Sequence, residues 1–124
     1  MQDEPTPTEL IKAVADFLRN DIVPTISGHN AFKLRVSINA LDLVTRQLAL
    51  ESRSDAAEAA RLSQLLAMPG SLTELNRALA DRIAKGEFDL QTPGLAEHLW
   101  QTTMAKLAVD QPNYVSYKRE LGEK

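Results

Sequence analysis

The stretch that most limits what this chain can become runs from Ala31 to Leu50, AFKLRVSINALDLVTRQLAL. Wound as a helix at about 100° per residue, it carries apolar side chains in nearly every direction. Phe32, Val36 and Leu43 point one way. Leu34, Ile38, Leu41 and Leu48 point another, with Ala40 and Val44 between them. A helix that is apolar most of the way round is buried by neighbours on several sides, so a central helix is expected here. One narrow stripe breaks the pattern. Arg35, Asn39, Asp42 and Arg46 follow i, i+4, i+7, i+11 spacing and fall within about 60° of each other.

The elements that surround such a helix are read from caps and breakers. Thr6, Pro7 and Glu9 form a helix start, with N-cap, first-position proline and capping-box glutamate. That helix runs to Asn20 or Ile22, is apolar through Leu10, Ile11, Val14, Phe17 and Leu18, and ends at Pro24. Asp16, Arg19 and Asn20 look outward. Thr25 to Asn30 reads as a loop with His29 in it, where Gly28 takes a positive φ and Ser27 or Asn30 caps the next helix.

The central helix is expected to fray near Glu51 to Arg53 or to bend through Ser52 to Ser54. Ser54-Asp55, with Glu58, then starts a separate alanine-rich helix. Ala59, Leu62, Leu65 and Leu66 form its face, and Pro69-Gly70 stops it. Ser71 and Glu74 make a second capping box, followed by Leu72, Leu75, Leu79 and Ile83 at helical spacing. Gly86 is a left-handed cap. Glu87 to Gln91 reads as an extended or irregular link. Thr92-Pro93 opens the last long helix, with Leu95, Leu99, Met104, Leu107 and Ala108 inward and Trp100 at an edge. Asp110 to Pro112 ends it, and one further short turn follows. The expected fold is all-α: a compact, mostly antiparallel bundle of about five helices.

Size and charge fit that picture. A chain of 124 residues makes one helical domain over 1–124, with 1–5 and 118–124 expected to be mobile. A net charge of −3 argues against nucleic acid or an anionic membrane as the main partner. With no cysteine there is no disulfide, thiolate metal site or thiol nucleophile. The opening MQDEPTPTEL has neither a basic nor an apolar region, so no secretory signal is expected. No apolar run approaches the ~20 residues that span a bilayer. A soluble, cytoplasmic protein is expected.

Few residues point to chemistry. The Arg35, Asn39, Asp42, Arg46 stripe could grip a phosphate, a carboxylate or a partner's acidic groups. It could equally be a wet helix face or an Arg–Asp ladder that satisfies itself. His29 precedes a helix N-terminus, where an anion is favoured. His98 follows Glu97, but no second histidine completes a zinc motif, and the chain has two histidines in all. Asp55 and Glu58 read as caps rather than paired catalytic acids. The five glycines stand singly at helix ends, so no phosphate-cradling loop exists. No cofactor, metal or catalytic residue is expected. Trp100, Tyr114 and Tyr117 are a modest aromatic group suited to packing or to an interface.

PTPTELIKAVADFLRNDIVP, AFKLRVSINALDLVTRQLAL and LAVDQPNYVSYKRE together resemble a group of small bacterial all-helical proteins of unknown function. Some of that group are labelled acyl-CoA dehydrogenase-related. Its members typically occur beside aminoglycoside-phosphotransferase-like kinases and acyl-CoA dehydrogenases. One resembles the small companion subunit of a hydroxyacyl-CoA kinase in levulinate breakdown, where the large subunit phosphorylates the hydroxyl. The resemblance matches best at Arg35, Asn39, Arg46, Asp110, Pro112 and Tyr114, none of which has an assigned role. It implies a non-catalytic accessory subunit rather than an enzyme acting alone. Its partner would be a phosphotransferase-type kinase, with an acyl-CoA as possible ligand. Arg35, Asn39, Asp42, Arg46 and Tyr114 are then the expected partner- or ligand-binding residues. Two alternatives stand beside it. One is a stand-alone small-molecule-binding protein using His29 or His98 as acid or base. The other is a homo-oligomer joined through the alanine-rich helix.

Overall fold

A computed structural model describes residues 4–123. Among these every regular element is helical. They are α1 (Pro7–Phe17), a π-helical stretch (Leu18–Ile22), a 3₁₀ turn (Val23–Thr25), α2 (Gly28–Leu66), α3 (Leu72–Ala84), α4 (Leu95–Asp110) and α5 (Val115–Glu120). The all-α class follows as expected. Of the ends expected to be mobile, residues 1–3 and Lys124 lie outside the described residues, while α5 carries helix through Lys118 to Glu120. The chain divides into two compact units, Met1–Leu50 and Glu51–Lys124.

The first unit holds α1 and the start of α2. Both capping-box bonds at Thr6 and Glu9 form at 3.2 Å, with Pro7 in the first turn. Such a cap stabilises a helix by about 1 kcal/mol. The helix does run to Ile22, but its last turn is widened to π geometry. The Val23 N–H closes that turn on the Leu18 carbonyl. Pro24 lies in the 3₁₀ turn that ends it. The next expectation is corrected: His29 is not in a loop, because α2 already begins at Gly28.

Burial in this unit also differs from expectation. Its buried residues are Ala15, Ala31 and Ile38. Leu10, Val14 and Phe17 of α1 are exposed, as are Val44 and Leu48 of α2. Phe32 is 62% exposed and Val36 52%. Ala31–Leu50 is therefore not a helix covered on several sides. Periodicity shows which residues share a face; it does not supply an element to lie over that face.

α2 is also longer than expected. It runs unbroken through Ser52, Arg53, Ser54 and Asp55, so the break and the second capped helix at Ser54-Asp55 do not occur. Serine and aspartate inside a helix cost only tenths of a kcal/mol each. No glycine or proline stands there, and Ala56, Ala57, Ala59 and Ala60 follow at once with the best helix propensity of all. Hydroxyls earlier in the helix are satisfied locally: Ser37 donates to the Lys33 carbonyl and Thr45 to that of Leu41, each at 2.9 Å.

The second unit holds the rest of α2 with α3, α4 and α5, and here a leucine core forms. Leu62, Leu66, Leu75, Leu79 and Leu95 are buried together, with Leu65, Met68, Leu72, Ala78 and Phe88 packed against them. Each fully buried leucine contributes about 2 kcal/mol. Ile83 and Leu99, expected inside, are exposed.

The ends of these helices explain their lengths. α2 stops at Leu66 because Ala67 turns left-handed, φ 55°, and the Met68 N–H bonds to the Ser63 carbonyl at 3.2 Å. The stop thus precedes Pro69-Gly70. α3 starts at the Ser71–Glu74 capping box, as expected. It ends in a Schellman motif: Glu87 N–H to Arg82 carbonyl at 2.9 Å and Gly86 N–H to Ile83 carbonyl at 3.1 Å. Gly86 takes the left-handed conformation that this motif requires, φ 76°. The link to α4 is tied down by Asp89 and Thr92. The Gln91 N–H donates to Asp89 at 2.8 Å, and the Asp89 N–H donates to the Thr92 hydroxyl at 2.9 Å. With Thr92 so used and Gly94 left-handed at φ 88°, α4 begins at Leu95 and not at Thr92-Pro93.

Candidate functional site

Two groups of residues stand out, one in each unit. In the first unit, Phe32, Arg35, Val36 and Asn39 share one exposed face of α2 at i, i+3, i+4, i+7 spacing. An aromatic and an arginine beside aliphatic surface is the composition enriched where proteins meet. Asp42 stands in the same stripe. It accepts from Arg19 at 2.5 Å, and Arg19 also donates to Asp16 at 3.1 Å. Arg19, expected to look outward, thus links Asp16 of α1 to α2. The Lys12 hydrogen bond holds the Asp16 carboxyl below its usual range, with Arg19 adding to the effect. Arg46 is half-buried. His29 is exposed and stacks against Phe32 at 6.5 Å between ring centroids.

In the second unit α4 turns a histidine inside, on a face that departs from the expected one through Leu99. Leu95, His98 and Thr102 follow i, i+3, i+7, which puts all three on one face. His98 is 3% exposed. Its Nδ1 accepts from Arg61 Nε at 3.2 Å, so the neutral ring carries its proton on Nε2. Arg61 Nη2 donates to the Thr102 hydroxyl, also at 3.2 Å. Burial pushes the His98 pKa down from its ordinary 6.5, Arg61 pushes the same way, and Glu58 opposes them.

Beside this group lies a half-open cavity of about 390 Å³ lined by Arg61, Gln64, Leu65, Pro93, Gly94, Glu97 and His98. Small-molecule sites start near ~300 Å³. Arg61 meets no carboxylate in the ion pairs seen among the described residues; its bonds go to His98 and Thr102. Glu58 accepts from Asn76 at 3.3 Å and Glu97 from Gln101 at 2.7 Å, so both nearby acids have partners elsewhere. No group of three metal-ligating residues occurs among the described residues.

A family profile described as a domain of unknown function, DUF6285, matches residues 24–114. The chain belongs to the DUF6285 family. The DUF6285 match takes in α2, α3 and α4 whole and ends before α5. Arg35, Asn39, Asp42, Arg46, Arg61, His98 and Tyr114 all lie inside it. No curated protein and no solved structure matches the chain.

Tyr114 is exposed at the start of α5. Arg61 and Thr102 were not singled out by motif. The signal for them was present: Arg61 immediately precedes the buried Leu62, and Thr102 is one turn beyond His98 on an otherwise apolar face. No helix among the described residues is long and apolar enough to cross a membrane.

Proposed function

We propose that this DUF6285 protein is a non-catalytic accessory subunit of an aminoglycoside-phosphotransferase-like kinase that acts on hydroxyacyl-CoA substrates in acid catabolism. The observation that carries the reading is the exposed α2 face, where Phe32 and Val36 stand in solvent beside Arg35 and Asn39. Large apolar side chains clustered on one exposed face favour a macromolecular partner. The choice of partner comes from the sequence resemblance to companion subunits of such kinases. The chain brings no nucleotide-binding motif of its own, so its contribution is to a partner's site: Phe32 and Val36 supply apolar contact, and Arg35 supplies a guanidinium for an acidic group or a CoA phosphate.

The test is co-expression with a kinase of that type, purified through a tag on the kinase alone. The chain is expected to come down with the kinase and to raise its phosphoryl-transfer activity on a hydroxyacyl-CoA. A kinase equally active without it would end the reading. Phe32→Ser should weaken the association by roughly tenfold or more, the scale of an aromatic anchor at an interface.

A further inference from the structure

We propose that the cavity between Arg61 and the start of α4 binds a small organic acid, with its carboxylate on the Arg61 guanidinium and its aliphatic chain against Leu65 and Pro93. The inference concerns the second unit alone and does not rest on the docking reading above.

It begins from charge. Arg61 is a half-buried cation whose bonds run to two neutral acceptors, His98 Nδ1 and the Thr102 hydroxyl. A guanidinium offers five N–H donors, and these bonds use one on Nε and one on Nη2. The acids able to neutralise it, Glu58 and Glu97, are bonded to Asn76 and Gln101 instead. Partial burial of a cation is costly without a counter-charge. Here the fold fixes the guanidinium through two side chains of α4 and leaves its remaining donors available at the edge of a space of about 390 Å³.

Shape and lining select the class of anion. The planar fork of arginine matches the two oxygens of a carboxylate. Leu65 and Pro93 give an apolar wall beside it, which a bare inorganic anion would leave uncovered. Gln64, exposed at the rim, adds an amide for a further polar group on the ligand. The Leu95–His98–Thr102 face positions the arginine: His98 and Thr102 hold it and need not touch the ligand.

The experiment is an NMR titration of the whole chain with butyrate, following the Arg61 side-chain N–H and the backbone amides of residues 94–98. Saturable shifts are expected, with no saturation when 1-butanol, the same chain without the charge, is used. Arg61→Gln should lower butyrate affinity by roughly tenfold or more. Gln64→Glu adds a second carboxylate to a lining that already holds Glu97, without touching the bonds of Arg61, and should weaken binding in the same direction, so the test survives if Arg61→Gln does not fold. Shifts that never saturate, equal response to 1-butanol, or unchanged affinity in Gln64→Glu would overturn the proposal. So would a preference for inorganic phosphate over butyrate.

Discussion

The two units use leucine-rich sequence in opposite ways. In the second, Leu62, Leu66, Leu75, Leu79 and Leu95 come from three helices and bury one another. In the first, the buried residues are two alanines and Ile38, while Phe17, Phe32, Val36 and Leu48 lie exposed. Both stretches are helical and both are amphipathic or better. What separates them is how many elements surround each apolar face. Three helices converge on the one core, whereas the described residues of the other unit supply α1 with its short π and 3₁₀ extensions and the start of α2. Buried leucine is therefore concentrated in the second unit, while both units leave apolar side chains exposed: Phe32 and Val36 in the first, Leu90, Trp100 and Val115 in the second.

The largest expected effect that would break this comparison is at Leu62. Leu62→Ala should lower the unfolding free energy by roughly 2–5 kcal/mol, as a cavity-forming change at a fully buried site does. Phe32→Ala in the first unit should stay within about 0.5 kcal/mol, as for exposed sites. Urea melts followed by circular dichroism measure both, and equal costs would show that Phe32 is covered in solution. Next in size, Ser71→Ala removes the cap of α3 and should cost about 1 kcal/mol in the same assay. The corresponding gain is at Ala67, a non-glycine residue held left-handed at φ 55°. Ala67→Gly should add roughly 0.5–1 kcal/mol, since glycine enters that region without steric penalty.

The smallest effect is a pH dependence confined to the second unit. His98 titrates below its ordinary 6.5 when folded, first because it is buried and then because Arg61 faces it. The unfolded chain therefore takes up a proton before the folded one does. The stability this contributes is full above pH 6.5 and is lost as pH falls below it through the folded pKa. His98→Gln should flatten that acid limb in urea melts across the window, while leaving the alkaline side unchanged in slope.

Local signals made much of the fold legible. The capping boxes at Thr6 and Ser71 and the left-handed Gly86 appear where their residues announced them, because each depends on neighbours within one turn. The continuity of α2 was missed since Ser54, Asp55 and Glu58 are as good a cap as those two, and only the alternative of simply continuing the helix outcompetes it. The start of α4 was missed because Thr92 spends its hydroxyl on Asp89. The Arg35 to Arg46 stripe was visible as a spacing, but the link from Asp42 to Arg19 joins residues far apart in sequence and leaves no local trace. Arg61 is hidden for the same reason, and His98 stands out by residue type but not by its burial; the meaning of both comes from meeting.

The wide turn at Leu18–Ile22 carries a consequence for chain length. A π turn holds one residue more than the α turn it replaces. Deleting one residue there other than Arg19 should let the backbone close up as ordinary helix. Arg19 would pay instead, swinging by about 100° around the axis away from Asp42. Homologues one residue shorter at this point are thus expected to lack the arginine, the aspartate, or both.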